Sequence, residues 1–326
     1  GRLADAVPLY ERALKILDEV YNEDNPEVAQ ALHNLALSYD QSDQNEKAEP
    51  LYQRALRMRT RLFGADSVDT ATSIFYLGWL YDEMEDYEKA EPLYKQALEI
   101  RRKLLGDEDT DTALTMLNLA LLYDNTDRDE LAEPLYRQSL EIRTKLPGEE
   151  HEDTAQAMYN LAWLYDETGR DQQAAPLYQQ SLEIRERLLG DEHEDTIHSA
   201  TGLGLVFAEL QEYDKAEPLL KRALEVRKKL HGDEHVDTAD ACANLGWFYD
   251  TIHDYEKAEE LIRQSLEINR KLFGEEHENT AQAYTSIAGL YFRSNDYAKA
   301  EPLFQQALNI REKVFGTDHS NTADSL

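Results

Sequence analysis

Residues 69–106 read DTATSIFYLGWLYDEMEDYEKAEPLYKQALEIRRKLLG, one nearly complete unit of a pattern that fills the chain. The phrase around Pro92 occurs eight times at intervals of 42 residues, without an insertion or deletion. A fixed period of about 20–50 residues marks an array of small units, because one unit cannot bury its apolar face alone and stacks on its neighbours. Such arrays present extended surface, so the repeat favours a binding scaffold over a catalyst.

Each unit predicts two amphipathic helices. Ile74, Leu77 and Tyr81 recur at helical spacing and define a short helix A. After a polar break the same spacing resumes at Tyr87 and runs to Leu104, which defines a helix B of about 18 residues. The chain is therefore predicted to be all-α, built from antiparallel helix pairs.

The pattern also indicates where the helices begin and end. Asp or Asn precedes helix A throughout, and these residues are predicted N-caps: Asp69, Asp111, Asp153, Asp195, Asp237, Asn279 and Asn321. A residue that tolerates positive φ follows helix B: Asn22, Gly64, Gly106, Gly148, Gly190, Gly232, Gly274 and Gly316. We predict that helix B includes Pro92, although proline lacks the backbone N–H, because Tyr87 and Ala90 already hold the apolar phase.

The period predicts a single array over residues 1–326. The first unit, 1–27, holds helix B only, and the last, 322–326, barely enters helix A. The complete repeats are 28–69, 70–111, 112–153, 154–195, 196–237, 238–279 and 280–321. Because neither end carries a polar capping helix, head-to-tail association of copies is a further expectation.

Composition narrows the class of partner. The 66 acidic and 34 basic residues give a net charge of −32, which repels nucleic acid phosphates and anionic membranes. The acidity favours cationic partners or serves solubility alone. No apolar run reaches the ~20 residues of a membrane span. The lone Cys242 excludes an internal disulfide framework and fits a reducing, cytoplasmic location, although a secreted protein poor in cysteine would have the same composition.

The order of large, small and aromatic residues resembles the signature of the tetratricopeptide repeat. It is carried by Leu35, Ala36, Tyr39, Ala48, Tyr52 and Ala55. The 42-residue unit, with the phrase AEPLYKQALEIR at 90–101, is similar to the kinesin light chain type of repeat, which also occurs in sensor regions of signalling ATPases. The resemblance implies a right-handed α-solenoid whose concave groove, lined by helix A, binds extended peptides or partner helices.

Three rows of helix A residues are candidate groove positions. The resemblance implies that an Asn row binds peptide backbone: Asn34, Asn118, Asn160 and Asn244. Three residues on lies a Trp row, Trp79, Trp163 and Trp247, and three further an Asp row, Asp40, Asp82, Asp124, Asp166 and Asp250. Trp is a frequent anchor of interfaces, and a row of carboxylates attracts Lys or Arg. Each row also has a structural alternative. The Asn side chains could bridge adjacent helices, the Trp rings could pack between neighbouring A helices, and the Asp carboxylates could simply face solvent.

Two classes of partner that related repeats bind are not expected for this chain. The acidic row is opposite in charge to the basic groove of kinesin light chains. The slots that clamp a carboxylate in chaperone-binding repeats lack Lys and Arg here: Gln30, Thr72, Leu114, Gln156, His198, Asp240 and Gln282.

No motif predicts catalysis, a metal or a cofactor. A loop His recurs at His151, His193, His235, His277 and His319. Equivalent residues of stacked units lie about 20 Å apart, so these side chains cannot share one ion. The sequence thus predicts a protein-interaction scaffold, most simply one that binds a partner with basic residues. A sensor region of a larger signalling ATPase and a structural polymer formed through the ends are the alternatives.

Overall fold

A computed structural model describes residues 2–21, 24–145 and 151–316, with the side chains of 2–6 excepted. Within these ranges the chain forms helices joined by short turns, as predicted. Asn22, Gly148, His319, Asn321 and the last unit 322–326 lie outside the described residues. None of the described helices has the length and apolar character that a membrane span requires. Contacts divide the chain into two compact units, 1–149 and 150–326, and each is described by itself.

The first unit contains α1 to α7. Their bounds are Arg2–Val20, Pro26–Asp40, Asn45–Phe63, Val68–Glu83, Tyr87–Leu105, Thr110–Asp124 and Asp129–Lys145. The second unit contains α8 to α15. Their bounds are Glu152–Glu167, Asp171–Leu189, Glu194–Glu209, Tyr213–His231, Val236–Thr251, Tyr255–Phe273, Glu278–Arg293 and Tyr297–Phe315. Even-numbered helices are helix A and odd-numbered helices are helix B, and within each unit consecutive helices pack on one another.

Helix A begins two residues earlier than predicted, so the predicted N-caps are wrong. Asp69 and its equivalents lie inside the first turn, where the helix dipole favours negative charge. The observed caps are Asn25, Ser67, Asp109, His151, His193, His235 and His277. In His193, for example, Nδ1 accepts the N–H of Asp195 at 3.2 Å. Asp is a far commoner cap than His, so the spacing alone indicates no structural role for the recurring histidines.

Helix B includes its proline, as predicted. Pro92 is the sixth residue of α5 (Tyr87–Leu105), and proline occupies the same place in the helices at 50, 134, 176, 218 and 302. Gly106 then ends α5 with φ of 92°, a conformation in which a side chain would be strained. The other described glycines of this set end their helices in the same way.

Small residues fill the places where helices meet. Ala90 and its equivalents from Ala48 to Ala300 are at most 2% exposed. A second small position of helix B, seven residues further on, is Ala in some repeats and Ser in others; Ser139 and Ser181 each donate to a carbonyl of the preceding helix at 2.8 Å. A hydroxyl in this slot is therefore satisfied by the neighbouring backbone and costs little to bury.

Candidate functional site

The three predicted rows all lie on helix A. In α8, for example, Asn160, Trp163 and Asp166 follow one another at intervals of three residues. Residues three apart on a helix are neighbours on its surface, so α2, α6, α8 and α12 each carry an Asn, a Trp or Leu, and an Asp in sequence, whereas α4, α10 and α14 lack at least one of them. Their exposure differs sharply, and this decides which of them a partner can contact.

Asparagines of the row bond mainly within their own helix. Asn118 Nδ2 donates to the carbonyl of Leu114 at 2.9 Å, and Asn34 Oδ1 accepts from Gln30 at 2.8 Å. Asn160 Oδ1 likewise accepts from Gln156 at 2.7 Å, but the buried Nδ2 of Asn160 has no partner. A buried donor without a partner costs free energy, and a rotation of the Asn160 side chain that exposes Nδ2 would let the carbonyl of a partner satisfy it.

The tryptophans divide between exposure and packing. Trp163 is 44% exposed, a large value for this side chain. Trp79 and Trp247 are only partly exposed: the ring of Trp79 lies 6.3 Å from that of Phe75, and Trp247 packs against the core of the second unit. Trp163 is therefore the member of the row with most apolar surface left for a partner.

Carboxylates of the Asp row are partly or largely buried, and several accept a hydrogen bond from a tyrosine twelve residues on. Tyr94 donates to Asp82 Oδ2 at 3.1 Å, and the same pair forms at Asp124–Tyr136 (3.0 Å) and Asp40–Tyr52 (3.4 Å). Because these tyrosines belong to helix B, each pair joins the two helices of one repeat.

Whether a position of this row is Asp correlates with whether a tyrosine stands twelve residues further on. Where the row is broken by Ala208 and Phe292, the residues twelve positions on are Leu220 and Phe304. Asp250, which is 4% exposed and has Ile262 in that place, is instead bridged to Arg293 of the next A helix. A role for the row in holding helices together therefore accompanies any role in binding.

Burial changes the chemistry of the row. It raises the pKa of Asp40, Asp82 and Asp166 to about 6 from the ordinary value of 3.8. Hydrogen bonds from Tyr52 and Tyr94 oppose the effect of burial on their partners, and nearby carboxylates such as Glu83 add to it. Asp40, Asp82 and Asp166 are therefore ionised at neutral pH at a cost in stability, and a cationic partner would reduce that cost.

A row of buried arginines on helix B was not anticipated from the sequence. Its members are Arg59, Arg101, Arg143, Arg185, Arg227 and Arg311, all at most 7% exposed. Arg185 Nη1 donates to the carbonyl of Asp195 and to Ser199 Oγ, both at 2.9 Å. Its Nη2 donates to Gln156 Oε1 at 2.5 Å. One guanidinium thus joins α8, α9 and α10 across two repeats.

The same arrangement recurs at Arg101, whose Nη1 donates to the carbonyl of Asp111 at 2.9 Å and to Thr115 Oγ1 at 2.7 Å. Burial lowers the pKa of Arg59, Arg101 and Arg185. A charged residue in an amphipathic pattern is read as solvent-exposed, which is why the row was missed. The repeats themselves carried the signal: six of the seven complete repeats have Arg at this position, and Asn269 is the exception among them.

Paired helices stacked in this way define an α-helical repeat protein. A sequence profile of the tetratricopeptide repeat matches the chain in overlapping segments that together cover residues 1–326. The chain belongs to the tetratricopeptide repeat family, as its sequence predicts. A search of the curated proteins found no match.

Solved structures share the fold at low sequence identity. TPR-like repeats assigned to a kinesin light chain of Podosopora anserina are 23% identical, with 64% of this chain and 99% of that chain covered and a TM-score of 0.55. The STAND signal transduction ATPase with a tetratricopeptide repeat sensor from Pyrococcus horikoshii is 19% identical, with 94% of this chain and 44% of that chain covered and a TM-score of 0.69. A Rap protein complexed with Competence and Sporulation Factor is 16% identical, with 92% of this chain and 80% of that chain covered and a TM-score of 0.64.

Proposed function

We propose that this tetratricopeptide repeat array is a non-catalytic protein-interaction scaffold that binds an extended or helical partner segment along its A helices. The observation that carries the proposal is the pair formed by Asn160 and Trp163, an unused buried donor three residues from a tryptophan that is 44% exposed. An apolar ring beside an unsatisfied amide is the combination that anchors a side chain and a backbone carbonyl of the same peptide.

Charge selects the partner. The Asp row lies three residues beyond the Trp row on the same helices, and net charge of the chain is −32. A negative surface accelerates encounter with cationic segments and disfavours acidic ones. The buried Oδ1 of Asp82 has no hydrogen-bond partner, so the carboxylate keeps its attraction for a cation brought to the surface above it. The expected partner is a segment that combines Lys or Arg with an apolar residue.

Regulation of a larger protein is the second candidate. It is favoured by the similarity to the STAND ATPase, because the match covers 94% of this chain but only 44% of the ATPase. In that arrangement the A helices would bind a regulatory ligand or a neighbouring domain. The Rap protein complexed with Competence and Sporulation Factor supports ligand binding by the fold in either case. The single cysteine is consistent with an intracellular setting for both.

A peptide-display selection tests the proposal. The chain is screened against a library of random peptides, and the screen is repeated with Trp79, Trp163 and Trp247 all changed to Ala. Enrichment of peptides with Lys or Arg that is lost in this variant supports binding through the A helices.

The chain offers a matched control. Leu104, Leu188 and Leu272 are 43–46% exposed and recur at the same spacing as the tryptophans, but on helix B. Their triple replacement by Ala removes exposed apolar side chains of the same number and leaves the proposed surface intact. Enrichment that survives the tryptophan variant but not the leucine variant would contradict the proposal.

A further inference from the structure

Ends of three successive helices meet at one cluster of metal-binding side chains in the second unit. Glu194 lies in the first turn of α10, His231 ends α11, and His235 and Asp237 begin α12. His231 Nε2 lies 3.0 Å from Glu194 Oε2 and 3.5 Å from Asp237 Oδ2. His235 Nδ1 lies 3.0 Å from the same Asp237 oxygen. Ligand atoms of His231, His235 and Asp237 all fall within 4.8 Å of one another.

These distances match those between ligands of a tetrahedral ion. Zinc binds His nitrogen and carboxylate oxygen at about 2.0–2.2 Å, which places adjacent ligand atoms about 3.3 Å apart. Two imidazoles with carboxylates suit zinc and related transition ions, whereas magnesium and calcium prefer oxygen ligands alone. We propose that His231, His235 and Asp237, with Glu194, bind a divalent transition-metal ion of the zinc type.

Contacts of the side chains place them at a common site. The rings of His231 and His235 are stacked, with centroids 4.5 Å apart and an interplanar angle of 18°, so one ring must rotate for both nitrogens to face one ion. His235 Nδ1 also accepts the N–H of Asp237 at 3.3 Å, a long bond that an ion would replace. On Glu194, Oε1 faces Arg227 Nε at 3.6 Å and His198 Nε2 at 3.4 Å, and Oε2 faces His231. The two oxygens of Glu194 therefore face different neighbours, and Oε2 faces the site.

One residue distinguishes this cluster from its equivalent in the preceding repeat, which has Glu152, Asp195 and the cap His193 but Leu189 in place of His231. The following repeat differs at three positions, with Val236, Phe273 and Asn279 in place of Glu194, His231 and Asp237. Loop histidines of different repeats lie too far apart to share an ion, and here His231 supplies the second imidazole from within one repeat. An ion here would link α10, α11 and α12 at their ends.

Calorimetric titration with ZnCl₂ tests the site on the tag-free, metal-depleted chain. We expect one saturable zinc ion per chain, affinity that falls as the solution is acidified because imidazole must be neutral to ligate, and no comparable binding of MgCl₂. His231→Leu, which reproduces the composition of the preceding repeat, should weaken zinc binding at least tenfold. His193→Ala removes an equivalent cap histidine from a repeat without the site and should leave the affinity unchanged.

Leu189→His provides a test that does not depend on loss of function. It places the missing imidazole beside His193, Asp195 and Glu152, so the stoichiometry should rise to two ions per chain. Circular dichroism and melting without zinc check that each variant is folded. Absence of saturable binding, or equal affinity in the parent and His231→Leu, would overturn the proposal.

Discussion

Asp82→Asn tests whether the Asp row destabilises the fold at neutral pH. The carboxylate of Asp82 lies at the end of α4, where the helix dipole disfavours negative charge, and accepts a hydrogen bond from Tyr94 at 3.1 Å. Burial raises the pKa of Asp82 to about 6 from 3.8. The hydrogen bond from Tyr94 opposes this effect, and the nearby charge of Glu83 adds a smaller increase. Asparagine keeps an oxygen that can accept from Tyr94 and removes the buried charge.

The sign of the effect follows from proton linkage. An acid whose pKa is raised on folding binds more protons in the native state, so the stabilising effect of protonation is complete below pH 3.8 and is lost as the pH rises through about 6. A shift of about two pKa units corresponds to about 3 kcal/mol for a fully buried group. Asp82 is only partly buried, and solvent screening reduces the expected value to about 1–2 kcal/mol.

Urea unfolding of the parent and Asp82→Asn, followed by circular dichroism between pH 5 and pH 8, measures this difference. The range stays above the sequence pI of about 4.6, where solubility is lowest. We expect Asp82→Asn to be more stable than the parent by about 1–2 kcal/mol at pH 8 and by about half of that at pH 5. Glu99→Gln, an equal change of charge on the exposed face of α5, should show no such pH dependence. A variant less stable than the parent at pH 8, or a difference independent of pH, would refute the reasoning.

Three further predictions concern packing and assembly. Arg185→Met removes three hydrogen bonds to neighbouring helices and should lower the free energy of unfolding, measured by urea titration, by about 2–4 kcal/mol. The control Arg137→Met, at an exposed ion pair, should change it by less than about 1 kcal/mol. Gly78→Ala should raise the melting temperature, because alanine favours helix and the equivalent positions already hold Ala36, Ala120 and Ala162 beside the equivalent tyrosine, so a shift of a few tenths of an ångström at Tyr94, 3.2 Å from the new Cβ, accommodates it. Gly246→Ala should lower it, because the new Cβ would lie 2.7 Å from Ile262 Cγ1. Sedimentation equilibrium tests the expected head-to-tail association: a mass that rises with concentration supports it, and a constant monomer mass contradicts it.

Much of the fold could be predicted because the same local signals recur from repeat to repeat along the chain. Helix phase, the proline inside helix B and the glycine after it all depend on local backbone chemistry, which sequence spacing reports directly. The N-caps were misplaced by two residues because both Asp69 and the preceding Ser67 are good capping residues, and only the backbone shows which side chain reaches the free N–H groups.

The site was less predictable because exposure depends on contacts between helices. Asp82 and Asp250 occupy equivalent positions, yet one bonds to Tyr94 of the same repeat and the other to Arg293 of the next. Arg185 is buried because neutral acceptors from two neighbouring A helices surround its guanidinium. Such partners lie 10 to 43 residues apart, and no pattern within one helix indicates them.

The most direct test of binding along the A helices is an NMR titration of the indole N–H signals. The chain has three tryptophans, all in the Trp row, so three indole signals report on the proposed surface. On addition of a peptide enriched by display, we predict that the signal of Trp163 shifts and saturates at the affinity found by calorimetry. Binding of that peptide with all three indole signals unchanged would place it elsewhere and contradict the account.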